Sequence, residues 1–153
     1  MTELFNVICN GVEETEAAGV RLAELIKNDF SLPDFIALCG GLGAGKTAFT
    51  RGFCSVLCPS AAVRSPSFAL VNEYKGSTDV FHFDVWRITD DDDLYSTGFY
   101  DYCERGGIVI CEWANNIDYA LPDRYIKVEI DGNGDLPRKI TVTLENNNEN
   151  IGT

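Results

Sequence analysis

Basic side chains are scarce in this sequence. It has 12 lysines and arginines against 24 aspartates and glutamates, which gives a formal net charge of −12 at pH 7. Non-specific affinity for nucleic acids depends on basic side chains that displace the counterions around phosphate groups, and an excess of acidic groups opposes it. We therefore do not expect the chain to bind a nucleic acid by itself.

Long apolar runs are also missing. No stretch approaches the roughly 20 apolar residues of a transmembrane helix, and residues 1–10 lack the basic start and apolar stretch of a secretory signal. We expect a cytoplasmic protein with no membrane contact, monomeric when alone. The length of 153 residues suits one domain, which we place at residues 1–145. The asparagine-rich segment 146–153 is expected to be a frayed tail.

Cysteine and histidine are not arranged as metal ligands. The six cysteines form no Cys-x-x-Cys pair, and His82 is the only histidine. A zinc site is therefore not expected. Three of the cysteines lie in apolar, strand-like runs, where a free thiol behaves as a small hydrophobic side chain. We expect unpaired thiols.

Apolar patterning predicts an α/β fold. Continuous apolar runs at 35–39 and 108–111 are typical of central strands covered on both faces. Further strands are predicted at 4–9, 68–74, 80–86, 125–131 and 139–145. Helices are predicted after Asn10, which forms a capping pattern with Glu13, over 46–57, and from the acidic run 90–93, whose carboxylates are favourable in a first helical turn. The expected architecture has three layers, with a mixed central sheet flanked by helices and antiparallel hairpins at its edge.

A glycine-rich loop stands between a predicted strand and a predicted helix. Residues 40–47, Gly-Gly-Leu-Gly-Ala-Gly-Lys-Thr, match the phosphate-binding pattern G-x-x-x-x-G-K-[ST]. Glycines let backbone amides converge on phosphate oxygens, Lys46 can reach the β and γ phosphates, and the Thr47 hydroxyl can hold Mg²⁺. The pattern predicts a P-loop NTPase-like fold. The expected nucleotide contacts are Gly41, Leu42, Gly43, Ala44, Gly45, Lys46, Thr47 and Ala48.

Two carboxylates follow predicted strands. Asp84 follows Phe-His-Phe, and Glu112 follows the apolar run 108–111. In P-loop proteins, one strand-end carboxylate assists the Mg²⁺ and another polar group positions the attacking water. Spacing does not decide between the two acids, so both are candidates for metal binding and, with Lys46, for catalysis. Trp113 comes next, and its ring is expected either to pack in the protein or to stack on the ligand.

The identity of the nucleotide follows from a missing residue. Guanine-reading P-loop proteins commonly use Asn-Lys-x-Asp, whereas residues 115–118 read Asn-Asn-Ile-Asp without the lysine. ATP is therefore favoured over GTP. The seven arginines are scattered along the chain, so the sequence does not show the arginine-rich lid of a small-molecule kinase. A kinase for a small molecule or nucleoside remains the alternative function, and a nucleotide switch without useful turnover is a third.

Four motifs together resemble the TsaE (YjeE) family of small bacterial ATPases in their order and spacing. They are Gly-Leu-Gly-Ala-Gly-Lys-Thr at 41–47, Ser-Pro-Ser-Phe at 65–68, Phe-His-Phe-Asp-Val-Trp-Arg at 81–87 and Glu-Trp at 112–113. The sequence departs from the family's usual residues at three of these positions: Gly41 replaces Asp, Ser67 replaces Thr, and Trp86 replaces Tyr. None of these changes removes an atom that phosphate or Mg²⁺ requires.

The resemblance implies a function and roles for residues. It implies ATP hydrolysis in the synthesis of threonylcarbamoyladenosine beside the tRNA anticodon, with the TsaB and TsaD proteins as partners and tRNA met only through their complex. It further implies that Lys46 and Thr47 hold phosphate and Mg²⁺, that Asp84 is the carboxylate on the magnesium side, and that Glu112 acts on the water. Ser65 and Ser67 match a switch-like loop.

Overall fold

The computed structural model describes residues 1–41, 43–66, 69–132 and 134–147. Its strands are β1 (Thr2–Cys9), β2 (Phe35–Cys39), β3 (Val71–Tyr74), β4 (Val80–Asp84), β5 (Ile108–Glu112), β6 (Arg124–Asp131) and β7 (Arg138–Asn146). Its helices are α1 (Val12–Asn28), α2 (Lys46–Leu57), α3 (Asp91–Ser96) and α4 (Phe99–Glu104), followed by a kinked 3₁₀ segment, Ala114–Ala120.

The strands form one mixed sheet in the order β1-β7-β6-β2-β5-β4-β3. The four middle strands, β6, β2, β5 and β4, are parallel to one another. β3 pairs antiparallel with β4 at one edge, and β7 pairs antiparallel with β6 on the other side. The predicted mixed sheet with antiparallel hairpins is confirmed. β1 adds an outermost strand beside β7 that the sequence did not place.

Helices cover both faces of the sheet, as predicted. Alternate residues of β2 divide between two apolar clusters, with Ile36 and Leu38 facing α1 and α2 while Phe35 and Ala37 face α3 and α4. This explains why the apolar run of β2 shows no alternation, since each of its faces is buried. The loop that leaves β2 therefore starts from the middle of a rigid, fully covered sheet.

The start of α1 differs from the sequence prediction. Asn10 was predicted to cap the helix together with Glu13. Instead, Gly11 occupies the cap position, the helix begins at Val12, and the carboxylate of Glu14 accepts a hydrogen bond of 3.0 Å from the Asn10 backbone amide. The acidic partner of the pattern is thus displaced by one residue. α3 begins as predicted, with Asp90 accepting from the Asp93 amide at 2.8 Å.

Several strand boundaries differ from the sequence prediction, and β1, β6 and β7 each begin one or two residues early. β3 begins only at Val71, and Phe68, its predicted first residue, lies outside the described residues. β4 ends at Asp84 rather than Trp86, which is exposed. β7 continues through Asn146, which pairs with Arg124, so the sheet includes the first residue of the predicted tail. Residues 148–153 of that tail lie outside the described residues.

The six cysteines are unpaired, as predicted, and four of them are buried. Burial raises the pKa of the Cys54 thiol to about 12 and holds that of Cys111 well above its ordinary value, so both stay protonated, small apolar side chains. Within the described ranges, no helix is both long and apolar enough to cross a bilayer.

Candidate functional site

The glycine-rich loop joins β2 to α2 in a shape that exposes backbone amides. Gly43 and Gly45 adopt φ values of 75° and 105°, which residues with a Cβ rarely adopt. The first α-helical hydrogen bond of α2 runs from the Phe49 amide to the Gly45 carbonyl at 3.0 Å. The amides of residues 46–48 precede that bond and have no partner within the helix. They are the groups that bind an anion at a helix N-terminus.

Arg138, on β7, supports this loop from outside, and sequence reasoning missed it. Its guanidinium donates to the carbonyls of Ala44 and Gly43 at 2.9 and 3.0 Å, and to the carbonyl of Gly134 at 3.0 Å. The carbonyl and amide of one peptide group point in opposite directions, so Arg138 holds the Gly45 amide, which shares a peptide group with the Ala44 carbonyl, facing away from its guanidinium. No sequence signal could have identified Arg138, since 94 positions separate it from Ala44.

Lys46 begins α2 and is buried beside Glu112. Its Nζ lies 3.6 Å from Glu112 Oε1 and 4.6 Å from the centroid of the Trp113 ring. An ammonium over an indole face is attracted by the ring's electrons. The lysine predicted to bind phosphate is therefore held at the mouth of the loop by an acid and an aromatic ring, both of which the sequence also predicted for the site.

Trp113 has an unusual backbone conformation. Its φ of 62° places it in the left-handed region, which is uncommon for a residue with a large side chain. Its ring packs on Trp86, with centroids 4.6 Å apart. A strained residue persists only where the surrounding structure holds it, and such residues cluster at functional sites. The backbone turn after β5 thus directs the indole across the end of the sheet onto Lys46.

Glu112 is 4% exposed and makes a second, shorter contact. Its Oε2 lies 2.5 Å from Nε2 of His82, which is fully buried. An unpaired buried carboxylate would be costly, and here each of its oxygens has a partner, Lys46 for one and His82 for the other. The only histidine of the chain thus directly contacts a candidate catalytic residue.

Asp84 ends β4 directly beside Glu112, because the two residues are paired in the parallel ladder between β4 and β5. Asp84 is 8% exposed, and its Oδ1 accepts from the Trp86 amide at 2.9 Å. The two predicted strand-end acids thus meet at one edge of the sheet. This follows from the parallel arrangement, in which the carboxyl ends of neighbouring strands lie at the same edge.

Most predicted site residues line one cleft of about 320 Å³. Its lining residues are Gly43, Ala44, Gly45, Lys46, Thr47, Ser65, Asp84, Glu112 and Trp113. Gly41 and Ala48 border neighbouring depressions instead, and Ala48 can contribute to this cleft only through its backbone amide. Leu42 and Ser67 were also predicted for the site and lie outside the described residues.

The donor set of the cleft fits Mg²⁺ together with a polyphosphate. The Thr47 hydroxyl and the carboxylates of Asp84 and Glu112 are hard oxygen donors, which Mg²⁺ prefers. Loop amides and Lys46 supply the complementary groups for phosphate. Two carboxylates against one lysine leave a local excess of negative charge that a divalent cation would offset.

Comparisons with known proteins show which family the chain belongs to. A family model described as "Threonylcarbamoyl adenosine biosynthesis protein TsaE" matches residues 9–140. The chain belongs to the TsaE family. Family membership confirms the resemblance seen in the sequence and assigns the chain to proteins of tRNA threonylcarbamoyladenosine biosynthesis.

Individual TsaE proteins match over most of their length. The tRNA threonylcarbamoyladenosine biosynthesis protein TsaE of Bacillus subtilis is 36% identical over 88% of this chain and 82% of its own length. The Haemophilus influenzae TsaE protein is 33% identical over 87% of this chain and 85% of its own. A crystal structure of Bacillus subtilis YdiB superposes with a TM-score of 0.74 at 32% identity, covering 96% of this chain and 89% of that one. The α/β, P-loop NTPase-like fold is thereby confirmed.

Proposed function

We propose that this chain is a Mg²⁺-dependent ATPase that acts with TsaB and TsaD in the threonylcarbamoyladenosine modification of tRNA. One observation carries the ATPase part. Lys46, Thr47, Asp84 and Glu112 come from three separate elements and meet at the mouth of the glycine-rich loop in a single cleft. Family membership supports the place in tRNA modification.

Lys46 and the loop amides would bind the phosphates. In the structure, Lys46 Nζ is 3.6 Å from Glu112 Oε1, so an arriving γ phosphate competes with that carboxylate for the ammonium. The amides of residues 46–48 add donors that need no movement, because α2 already fixes them, and Arg138 holds the loop that precedes them through the carbonyls of Gly43 and Ala44. Preorganised donors of this kind cost little reorganisation when charge develops on the phosphoryl oxygens.

Thr47 and Asp84 would hold the Mg²⁺, which when bound neutralises phosphate charge and orients the γ phosphate. Glu112 would orient the attacking water. Its carboxylate is held by His82 through Oε2, which leaves Oε1 available once Lys46 turns to phosphate. Positioning and electrostatic stabilisation provide most of the catalysis in phosphoryl transfer. The cleft supplies groups for both.

Hydrolysis is favoured over a kinase activity by what lines the cleft. Among the described residues of its lining, Lys46 is the one cation and arginine is absent. A kinase lid would add arginines that close over the phosphates. The net charge of −12 also opposes direct capture of tRNA, which supports a role in which partner proteins hold the RNA.

Reconstitution tests the proposal. TsaB, TsaD, tRNA and the modification substrates are combined with and without this chain, and modified tRNA and inorganic phosphate are followed together. We expect ATP hydrolysis by the chain to rise when TsaB and TsaD are added, and repeated rounds of modification to require the chain. Undiminished multiple-turnover modification without it would overturn the proposal. Transfer of labelled γ phosphate to a small molecule would indicate a kinase instead.

A further inference from the structure

A buried chain of hydrogen bonds leads away from Glu112. His82 Nε2 contacts Glu112 Oε2, and on the other side of the ring His82 Nδ1 lies 3.1 Å from the hydroxyl of Tyr74. That hydroxyl in turn contacts the Arg64 backbone, 3.1 Å from the carbonyl and 3.3 Å from the amide. The chain of contacts thus crosses three adjacent strands, from β5 through β4 to β3, and ends on a loop.

All three side chains of this relay are buried. His82 is 0%, Glu112 4% and Tyr74 5% exposed. Hydrogen bonds shielded from water hold their geometry more firmly than exposed ones, because no solvent competes for the partners. Burial also raises the pKa of Tyr74, so its hydroxyl remains protonated and keeps a proton to donate.

One end of the relay is at the cleft, and the other lies next to it in sequence. Glu112 lines the cleft directly, whereas Arg64 borders a neighbouring depression and precedes Ser65, which lines the cleft. Lys46 is the other partner of Glu112, but in the proposed ATPase it turns to phosphate. His82 is then the contact in this relay that continues to hold the carboxylate.

We propose that His82 and Tyr74 are positioning residues: His82 orients Glu112 toward the attacking water, and Tyr74 links that pair to the backbone before Ser65. This inference rests on the proposed ATPase function. Neither residue lines the cleft. Tyr74 thereby connects the contact that holds Glu112 to the backbone of Arg64.

Three variants test the relay. His82→Met keeps the approximate volume but removes both ring nitrogens, whereas His82→Gln retains an amide that can donate to Glu112. Tyr74→Phe removes only the hydroxyl and fits the same space. Tyr100→Phe is the matched control, because it also removes a tyrosine hydroxyl bonded to a side chain, here Asp91, away from the cleft.

The readouts are ATP affinity, by titration with labelled ATP, the single-turnover hydrolysis rate and the melting temperature. We expect His82→Met to reduce the rate about 10- to 100-fold, as loss of a group that orients a functional ligand does, with ATP affinity within about threefold because the phosphate contacts remain. His82→Gln should recover most of that loss, and Tyr74→Phe should reduce the rate about three- to tenfold through the weakened hold on His82. Tyr100→Phe should match the unmodified chain.

Hydrolysis at the unmodified rate by both His82→Met and Tyr74→Phe would overturn the relay. Equal losses in the two His82 variants at equal melting temperature would also overturn it, since a general structural role predicts no rescue. If His82→Met does not fold, Tyr74→Phe decides the outcome alone. Failure of the unmodified chain to hydrolyse ATP would remove the proposed function and this inference with it, whereas normal hydrolysis by the unmodified chain and its variants removes only the relay.

Discussion

The two ends of the parallel strands differ in the burial of their charged groups, and the end with the larger cavity is not the one with buried charge. A cleft of about 690 Å³ lies at the amino ends of β2, β4 and β5, lined by residues such as Phe30, Leu32 and Arg124. The cleft at the carboxyl ends is smaller, about 320 Å³. Only the smaller one gathers buried charged groups, Lys46, Asp84 and Glu112, all less than 9% exposed.

We therefore take buried charge, rather than cavity size, as the guide to the candidate site. Removing an ionised group from water is costly unless partners compensate it, so three such groups in one cleft favour a chemical role for that cleft over the larger one. The larger cleft has charges only at its exposed rim, including Lys27, Asp29 and Asp34. Paired substitutions at the two ends of the sheet test this contrast.

The largest expected effect is at Lys46. Lys46→Ala removes charge-assisted hydrogen bonds to phosphate worth about 1.5–3 kcal/mol each, so loss of two lowers ATP affinity by about 10²- to 10⁴-fold. Hydrolysis should then disappear. Lys27→Ala, at the opposite end, is the matched control and should leave both unchanged. Titration with a fluorescent ATP analogue measures the affinity, and retained affinity in Lys46→Ala would contradict the assignment of the loop.

Glu112→Gln should separate binding from turnover. The amide keeps the shape of the side chain but removes the carboxylate that orients the water, so we expect hydrolysis to fall by about 10²- to 10³-fold. ATP affinity should stay within a few-fold, because Lys46 and the loop amides are intact. Phosphate release at saturating ATP provides the rate. Asp34→Asn, beside the larger cleft, is the control, and full hydrolysis by Glu112→Gln would exclude the role given to this acid.

Arg138→Met should have a smaller effect, on affinity alone. Without the bonds to Gly43 and Ala44, the loop amides are no longer held toward phosphate, and we expect about tenfold weaker ATP binding, or about 1.4 kcal/mol, with an unchanged rate at saturating ATP. Arg124→Met is matched to it, since Arg124 donates to the Ser31 carbonyl at 3.1 Å at the other end of the sheet. Equal ATP affinities for the two variants would show that the loop needs no outside support.

The smallest effect is expected at Phe30, which is 97% exposed beside the larger cleft. Phe30→Ser should change the free energy of unfolding by no more than about 0.5 kcal/mol, as exposed substitutions usually do, and leave ATP affinity as it was. Denaturant titration measures the first and ATP titration the second. A marked loss of ATP affinity would mean that the two ends of the sheet are coupled, which the contrast between them does not predict.

Local pattern predicted the parts of the site that adjoin one another in sequence. The bounds of β2 and α2, 35–39 and 46–57, agree with the predicted ones, because a strand, a glycine-rich loop and a helix leave strong signals in consecutive residues. The acids at 84 and 112 were likewise found from the strands they end. The cap of α1 was misplaced because Glu13 and Glu14 both lie near the distance that a capping pattern requires.

Contacts between distant segments could not be predicted. The bond from Arg138 to Ala44 depends on the register of β7, and the contact of His82 with Glu112 depends on β4 lying parallel to β5. Local periodicity predicts neither pairing, because period-two alternation determines which face of the sheet a residue occupies but not which strand lies beside it. Such contacts emerge only once the sheet is assembled.

The ion pair between Lys46 and Glu112 has a consequence for the order of events in the proposed ATPase. The Glu112 carboxylate and the γ phosphate compete for the same ammonium, so part of the free energy of ATP binding is used to displace the carboxylate. A nucleotide without the γ phosphate lacks the group that competes with this carboxylate for Lys46. Glu112 becomes available to the attacking water only after the γ phosphate has replaced it as the partner of Lys46. ATP binding itself therefore completes the site.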